Sequence, residues 1–346
     1  MPELNAVNLI QSATLGVSVL GAILLYRKPA CRAIALVMLL VGIAALINIL
    51  EETGISRGYY LVSPVFVMLF GPCIYLAIKQ FLLGQLSRAD GLHLLPVIPV
   101  VFFTEYVQQV IALGTLWRLG YAVLTAHLLY KTKCQLDEQR SDTQEYTFQW
   151  LVWVVAVSAI FNLVDMLRLN SQHWLNHDIN VLGQGINNLI WLIVIMLITV
   201  RLNGQKAPPA INREAVAATT ENASNAEDYR IIFDELQDLI QRHQWYLQPR
   251  LTLTELSQLT GFQTRDISRA INLLAGKSFN DYINQYRVEV VCQAIQAGAS
   301  GSLLQIATDA GFSSKASFNM VFKDMLGQTP SQYKQVQDRD SQRLKS

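Results

Sequence analysis

At 346 residues the chain has room for two domains, and 51% hydrophobic against 15% charged residues is too apolar for an ordinary soluble protein. The formal net charge of +1 says nothing by itself about nucleic acid. The four cysteines, Cys31, Cys73, Cys134 and Cys292, lack metal-ligand spacing and avoid the expected outer loops, so free thiols are expected, with no disulfide and no metal centre.

Residues 1–202 carry the excess apolarity in seven runs: Ala6–Tyr26, Ala33–Leu50, Leu61–Leu83, Leu92–Val110, Leu116–Tyr130, Tyr146–Leu167 and Val181–Leu202. A helix crossing a bilayer needs roughly 20 apolar residues, and most of these runs come close. Pro96, Pro99 and Gln108-Gln109 interrupt the fourth, while the fifth is short and contains His127. The opening MPELN has no basic leader, so the first run is expected to stay in the mature chain. Basic residues follow runs one (Arg27, Lys28, Arg32), three (Lys79, Arg88), five (Lys131, Lys133, Arg140) and seven (Arg201, Lys206, Arg213). The alternate loops hold only Arg57 and, at helix ends, Arg118 and Arg168. This bias predicts a multi-pass bundle in the cytoplasmic (inner) membrane, in contact with lipid, with the N-terminus outside and the C-terminus in the cytoplasm.

Residues 203–228 are rich in Ala, Asn, Thr and Pro without an apolar period and read as a flexible tether. Residues 229–248 begin with an amphipathic helix that gathers Ile231, Ile232, Leu236, Leu239 and Ile240 on one side. Such a face either packs on the domain that follows or pairs with a second copy in a homodimer.

Residues 249–334 contain one pattern twice. In the second copy, residues 303–326, Ser302 and Gln305 have capping-box spacing, Gly311 interrupts the first helix, and Phe318, Val321, Phe322 and Met325 line the inner side of another. Gly327 ends that helix and Thr329-Pro330 blocks its continuation. The first copy, residues 253–274, has Thr252 and Glu255 as its capping box, with Gly261-Phe262 fifty residues before Gly311-Phe312. Beyond the turn the offset is 51, matching Ile267 to Phe318, Ile271 to Phe322, Gly276 to Gly327 and Tyr282 to Tyr333, so the second turn is one residue longer. Each copy reads as a helix-turn-helix, and a helix from about Asn280 to Gln296 joins them. Residues 335–346 look like a solvated tail. The expected fold is all-α throughout.

This double unit resembles the DNA-binding domain of the AraC family of bacterial transcription regulators. The likeness is densest at Ile306-Ala307, Gly311-Phe312, Ser314, Phe318, Val321-Phe322-Lys323, Gly327, Thr329-Pro330-Ser331 and Tyr333, with Phe279, Tyr282-Ile283 and Tyr286-Arg287-Val288 in the joining helix. It implies two recognition helices lying in successive major-groove segments of double-stranded DNA, and RNA polymerase as a further partner. Helical spacing puts Arg265, Ser268, Arg269 and Asn272 on one face of the first recognition helix, and Lys315, Ala316, Asn319 and Met320 on that of the second. The resemblance implies DNA contacts at these positions and at Thr264, Ser314 and Lys323. Arg265 and Arg269 suit guanine and Asn319 suits adenine. Met320 stands where the family commonly has arginine, so the first unit is expected to supply more of the base specificity. From Arg250 to Lys334 eight basic residues face six acidic ones, a weak electrostatic footprint, which points to dimers or paired sites.

In the expected membrane half, Asn48, Glu51, Glu52, Glu105, Arg118, Asp165, Arg168, Asn187 and Asn188 fall at one depth, toward the outside. Ionisable groups in lipid are costly. They either neutralise one another, as Asp165 and Arg168 at i, i+3 can, or line a pocket for an unknown small-molecule ligand. His173 and His177 beside Asp178 lack a third firm metal ligand. No catalytic constellation, phosphate loop or cofactor motif is present in the sequence, so no enzyme and no cofactor are expected. The expectation is a membrane-embedded regulator coupling an outside or membrane signal to transcription; the alternative is a membrane anchor whose signal is sensed by a partner membrane protein.

Overall fold

The computed structural model describes residues 6–56, 60–143, 148–171, 174, 176–205, 226–299 and 301–343. Among them the chain is all-α, without a strand. It divides into two compact units, residues 1–130 with 148–210, and residues 131–147 with 211–346.

In the first unit α1 (Ala6–Tyr26), α2 (Arg32–Glu52), α3 (Ser63–Leu83), α6 (Gln149–Asn170) and α7 (His177–Gly204) follow the first three and last two apolar runs. These five are long and apolar enough to cross a membrane. Small residues let three of them approach closely. A Cβ on Gly21 of α1 would lie 2.6 Å from Thr199 Oγ1 of α7 and 2.9 Å from Met38 Cε of α2. One on Gly42 of α2 would sit 3.4 Å from Leu15 and Ser18 of α1. Large apolar side chains such as Phe102, Val123 and Val200 remain on the surface.

The fourth run, interrupted in the sequence by Pro96, Pro99 and Gln108-Gln109, does not form one helix. Residues Arg88–Leu94 form 3-10 turns and α4 (Val97–Val100) is a single turn, because Pro96 and Pro99 lack the amide hydrogens that a continuous helix needs. The segment nevertheless runs back along the whole of α3. Asp90 pairs with Lys79 near the end of α3, and the His93 ring packs 5.4 Å from that of Tyr75. Val97 and Val100 then pack with Met68 and Val65, and Tyr60 Oη donates to the Val101 carbonyl. The fifth run is exceeded in both directions: α5 spans Val107–Gln139 and continues through the charged sequence after Tyr130, where Lys133 and Asp137 pair at i, i+4.

In the second unit α8 (Ala226–His243) and a 3-10 turn (Trp245–Leu247) precede the first helix-turn-helix, α9 (Leu253–Thr260) and α10 (Thr264–Ala270), the latter extended by a π-type turn over Ile271–Ala275. The joining helix α11 (Phe279–Gln296) leads to α12 (Leu303–Asp309) and α13 (Lys315–Leu326). Residues Pro330–Arg343 form α14, so the expected solvated tail from Gln335 is helical to Arg343. Each helix-turn-helix has its own core. Leu236 and Ile240 of α8 join Leu256, Ile267, Ile271 and Ile283 in the first, which occupies the apolar face of α8 within the unit. Val291 and Ile295 of α11 join Phe312, Phe318 and Phe322 in the second. Most of the 203–228 tether lies outside the described residues.

Candidate functional site

The two recognition helices are positioned by the same local devices. Thr252 Oγ1 accepts from the Glu255 amide at 3.2 Å while the Glu255 carboxylate accepts from the Thr252 amide at 2.7 Å, closing the expected capping box. Only half of the second box forms: Ser302 caps the Gln305 amide, but the Gln305 side chain turns to Asp309 instead. Ser314 caps α13 through the Ser317 amide at 3.1 Å, and Gly327 ends it at φ 71°. Gly311, at φ 93°, is needed twice over. A Cβ there would lie 2.5 Å from the Tyr246 carbonyl oxygen and 2.8 Å from that of Leu247.

On α10 the buried side consists of Ile267, Ala270 and Ile271, which turns Thr264, Arg265, Ser268, Arg269 and Asn272 outward. On α13 Phe318, Val321 and Phe322 are buried, and Lys315, Ala316, Asn319, Met320 and Lys323 are exposed. The structure therefore brings each predicted set of DNA contacts together on one helix face. Their surroundings differ. The α13 face is open to solvent, whereas the α10 face is engaged. Ser268 Oγ donates to Glu138 Oε2 at 2.9 Å, and Asn272 Nδ2 donates to the same oxygen at 3.1 Å. The Arg269 guanidinium lies 5.4 Å from the centre of the Tyr229 ring, and Arg265 reaches Asp266 at 3.4 Å. Burial pushes the Glu138 carboxyl above its ordinary range, Ser268 and Asn272 pull it back, and nearby Asp137 and Asp281 add to the rise.

Glu138 belongs to the end of α5, and the residues that follow are built into the second unit. The Ser141 amide donates to the Leu251 carbonyl at 3.0 Å, and Asn280 Nδ2 donates to the Arg140 carbonyl at 3.1 Å. Arg287 of α11, 1% exposed, donates from Nε to the Tyr246 carbonyl, from Nη1 to the Ser141 carbonyl and Asn284 Oδ1, and from Nη2 to Ser141 Oγ and the Gln248 carbonyl. All five of its donors are used, which is what a buried guanidinium requires. Burial lowers it to about 10 while Asp142 acts the other way, so it stays charged at neutral pH. Arg140 grips Asp142 through two bonds of 2.7 and 3.0 Å. Sequence reading counted Arg287 in the basic footprint; buried, it leaves seven basic residues against six acidic ones. Glu138 and Ser141 were missed because nothing local marks them.

The polar residues of the first unit, read either as neutralising one another or as lining a pocket, have separate partners. Glu51 accepts from the Val62 and Ser63 amides at the start of α3. Glu52 accepts from Asn8 at 2.8 Å, Gln11 at 3.1 Å and Gln184 at 2.5 Å. Asp165 pairs with Arg168, which also donates to Asn180, and Asn188 donates to the Gln184 carbonyl. Asn48 is half-buried and Glu105 exposed. Arg118 alone of the set lines a cavity, with about 1070 Å³ of empty space including its open side, walled by Met38, Phe70, Leu151, Asn162 and Trp191 among others. Its Nε is buried without a hydrogen-bond partner, as is Asn187 Oδ1. No group of metal-ligating side chains occurs among the described residues, and His173 lies outside them.

Residues 243–335 match the family model described as "Helix-turn-helix domain", which is of the AraC type. The match supports a DNA-binding transcription regulator, and that family is a regulatory domain, not an enzyme family. A comparison with curated proteins finds no match. Among solved structures, "The structure of a protein with unkown function from Listeria innocua" is similar at 24% identity and a TM-score of 0.28, covering 30% of this chain and 96% of that one. The five apolar helices suggest membrane association.

Proposed function

We propose that this chain is a one-component regulator embedded in the cytoplasmic membrane, which couples a signal in or beyond the membrane to transcription of target genes. The observation that carries the reading is the pair of outward recognition-helix faces, on α10 and α13, in a chain that also holds five helices of membrane-spanning length and apolarity. The fourth run fits this topology as an irregular crossing. It follows α3 from Lys79 to Tyr60, with Val97 and Val100 packed on that helix while Leu92, Ile98 and Phe102 stay exposed. With α5 the count of crossings is seven, with the N-terminus outside and the C-terminal unit in the cytoplasm, where DNA and RNA polymerase are. Arg265, Ser268, Arg269 and Asn272 read one half-site, and Lys315, Asn319 and Met320 the next, with Thr264, Ser314, Ala316 and Lys323 in support. Homodimers on paired sites offset the weak net charge of the domain.

The sensing element in this proposal is the apolar cavity around Arg118, not the dispersed acidic residues. A largely apolar molecule is the ligand its lining favours, with Arg118 as a charged group in the wall. The alternative, an anchor whose signal comes from a partner membrane protein, is separated by one experiment. Reporter transcription from a target promoter is measured with Arg118→Ala and Asn162→Ala. Altered response with normal protein level and DNA binding supports sensing by this chain, and an unchanged response supports the anchor.

A further inference from the structure

The end of α5 and the turn after it, Lys131–Thr143, form part of the second unit. Leu136, Ser141, Asp142 and Thr143 are buried there, so this segment is fixed to the domain and not merely passing it. Two of the contacts that hold it matter most. One is Ser141, gripped by Arg287 in the core. The other is Glu138, which takes hydrogen bonds from Ser268 and Asn272 on the outward face of α10.

We propose that Lys131–Gln139 is a built-in competitor of DNA: it docks on the reading face of α10, and the first helix-turn-helix engages a duplex only after this end of α5 has been displaced. The proposal rests on α10 being a DNA-reading helix. Three physical points carry it. A helix with its side chains is about 10–12 Å across and the major groove about 12 Å wide, so the groove admits α10 but not α10 with α5 still attached. One donor each of Ser268 and Asn272, the groups that would meet base edges, is already spent on one carboxylate oxygen. That carboxylate also places negative charge where phosphates would approach. The α13 face carries no such cover, so the occlusion is selective: in the docked state the chain retains one free reader and binds DNA weakly. The Ser141 anchor keeps the segment tethered when the Glu138 contact opens. The same helix supplies Arg118, Tyr121 and Thr125 to the cavity in the first unit, so a ligand that moves α5 has a covalent route to the reading face.

The test uses the full-length protein in detergent or nanodiscs and a pool of random-sequence duplexes, with retention and enriched sequences read for wild type, Glu138→Ala and Asp324→Ala. Asp324 is an exposed acid on α13, and its removal calibrates the effect of one negative charge. The expected result is that Glu138→Ala tightens binding on the order of tenfold, about 1.4 kcal/mol, clearly beyond Asp324→Ala. It should also enrich a two-part motif where the wild type enriches mainly one part. Equal tightening by the two variants, with unchanged motifs, would overturn the competitor while leaving DNA reading intact. If no variant enriches any sequence, DNA reading fails and the competitor with it.

Discussion

Arg287 is the residue on which the second unit closes. Its five hydrogen bonds draw together the 3-10 turn at Trp245–Leu247, α11 and the turn after α5. Replacing it with methionine leaves several buried carbonyls without donors, at roughly 1–3 kcal/mol each. Arg287→Met is therefore expected to destabilise the second unit by at least about 3 kcal/mol, read as lost hydrogen-exchange protection of α11 in the full-length protein. Lysine, which cannot reproduce the planar fork, should rescue little. Gly311 tests the other face of the same turn. Gly311→Ala forces a Cβ onto the Tyr246 and Leu247 carbonyls in a backbone region that alone costs about 1–2 kcal/mol. Faster proteolysis of the α12–α13 region is expected; unchanged proteolysis would contradict this account of the turn. The glycine was legible in the sequence because its turn is local. The role of Arg287 was not, because its partners Tyr246 and Ser141 are 41 and 146 positions away.

Among the elements, α10 and α13 repeat one design with different side chains. The 50-to-51 change in repeat offset becomes two residues from Gly261 to the N-cap Gln263, but three from Gly311 to Ser314. In the proposed reading, Arg265 and Arg269 would offer bidentate contacts worth about 1–3 kcal/mol of discrimination each, and Met320 only an apolar surface. Arg269→Ala should therefore weaken binding to a selected duplex more than Met320→Ala, and the reverse order would contradict the assignment. The docking of α5 also carries a pH signature. Its carboxyl titrates above the ordinary value when docked, chiefly by desolvation, with Asp137 and Asp281 facing it and Ser268 and Asn272 opposing the rise. The docked state thus holds its proton more firmly. Acidification through the raised value favours docking, and a rise in pH favours release. Wild-type affinity for a duplex pool should fall as pH drops toward the carboxyl range, with a steeper slope than in Glu138→Gln; equal slopes would contradict the linkage. Helix ends in this unit were readable from capping residues and glycines. In the fourth apolar run apolarity reports only burial, while Pro96 and Pro99, which interrupt it in the sequence, decide the backbone.

At the scale of the whole molecule, apolar composition gave the helical first unit, and an internal repeat gave the second. What neither could give was the assignment of Lys131–Thr143 to the second unit. Charge and helix propensity after Tyr130 read equally well as a cytoplasmic loop, and only distant partners such as Arg287 and Ser268 settle its place. If α5 carries a signal to the reading face, inserting one alanine after Tyr130 rotates Glu138 by about 100°. That insertion should raise basal reporter transcription without ligand and flatten the response; an unchanged response would contradict transmission through this helix. The central claim is that a membrane-embedded chain reads chromosomal DNA. It is tested most directly by cross-linking the full-length protein to DNA in intact cells, isolating it from the membrane fraction and sequencing what is bound. In the Glu138→Ala background, a small set of sites sharing a two-part motif, lost when Arg269→Ala is added, is the predicted result. Membrane-fraction protein that retains no DNA sequence above background would contradict it.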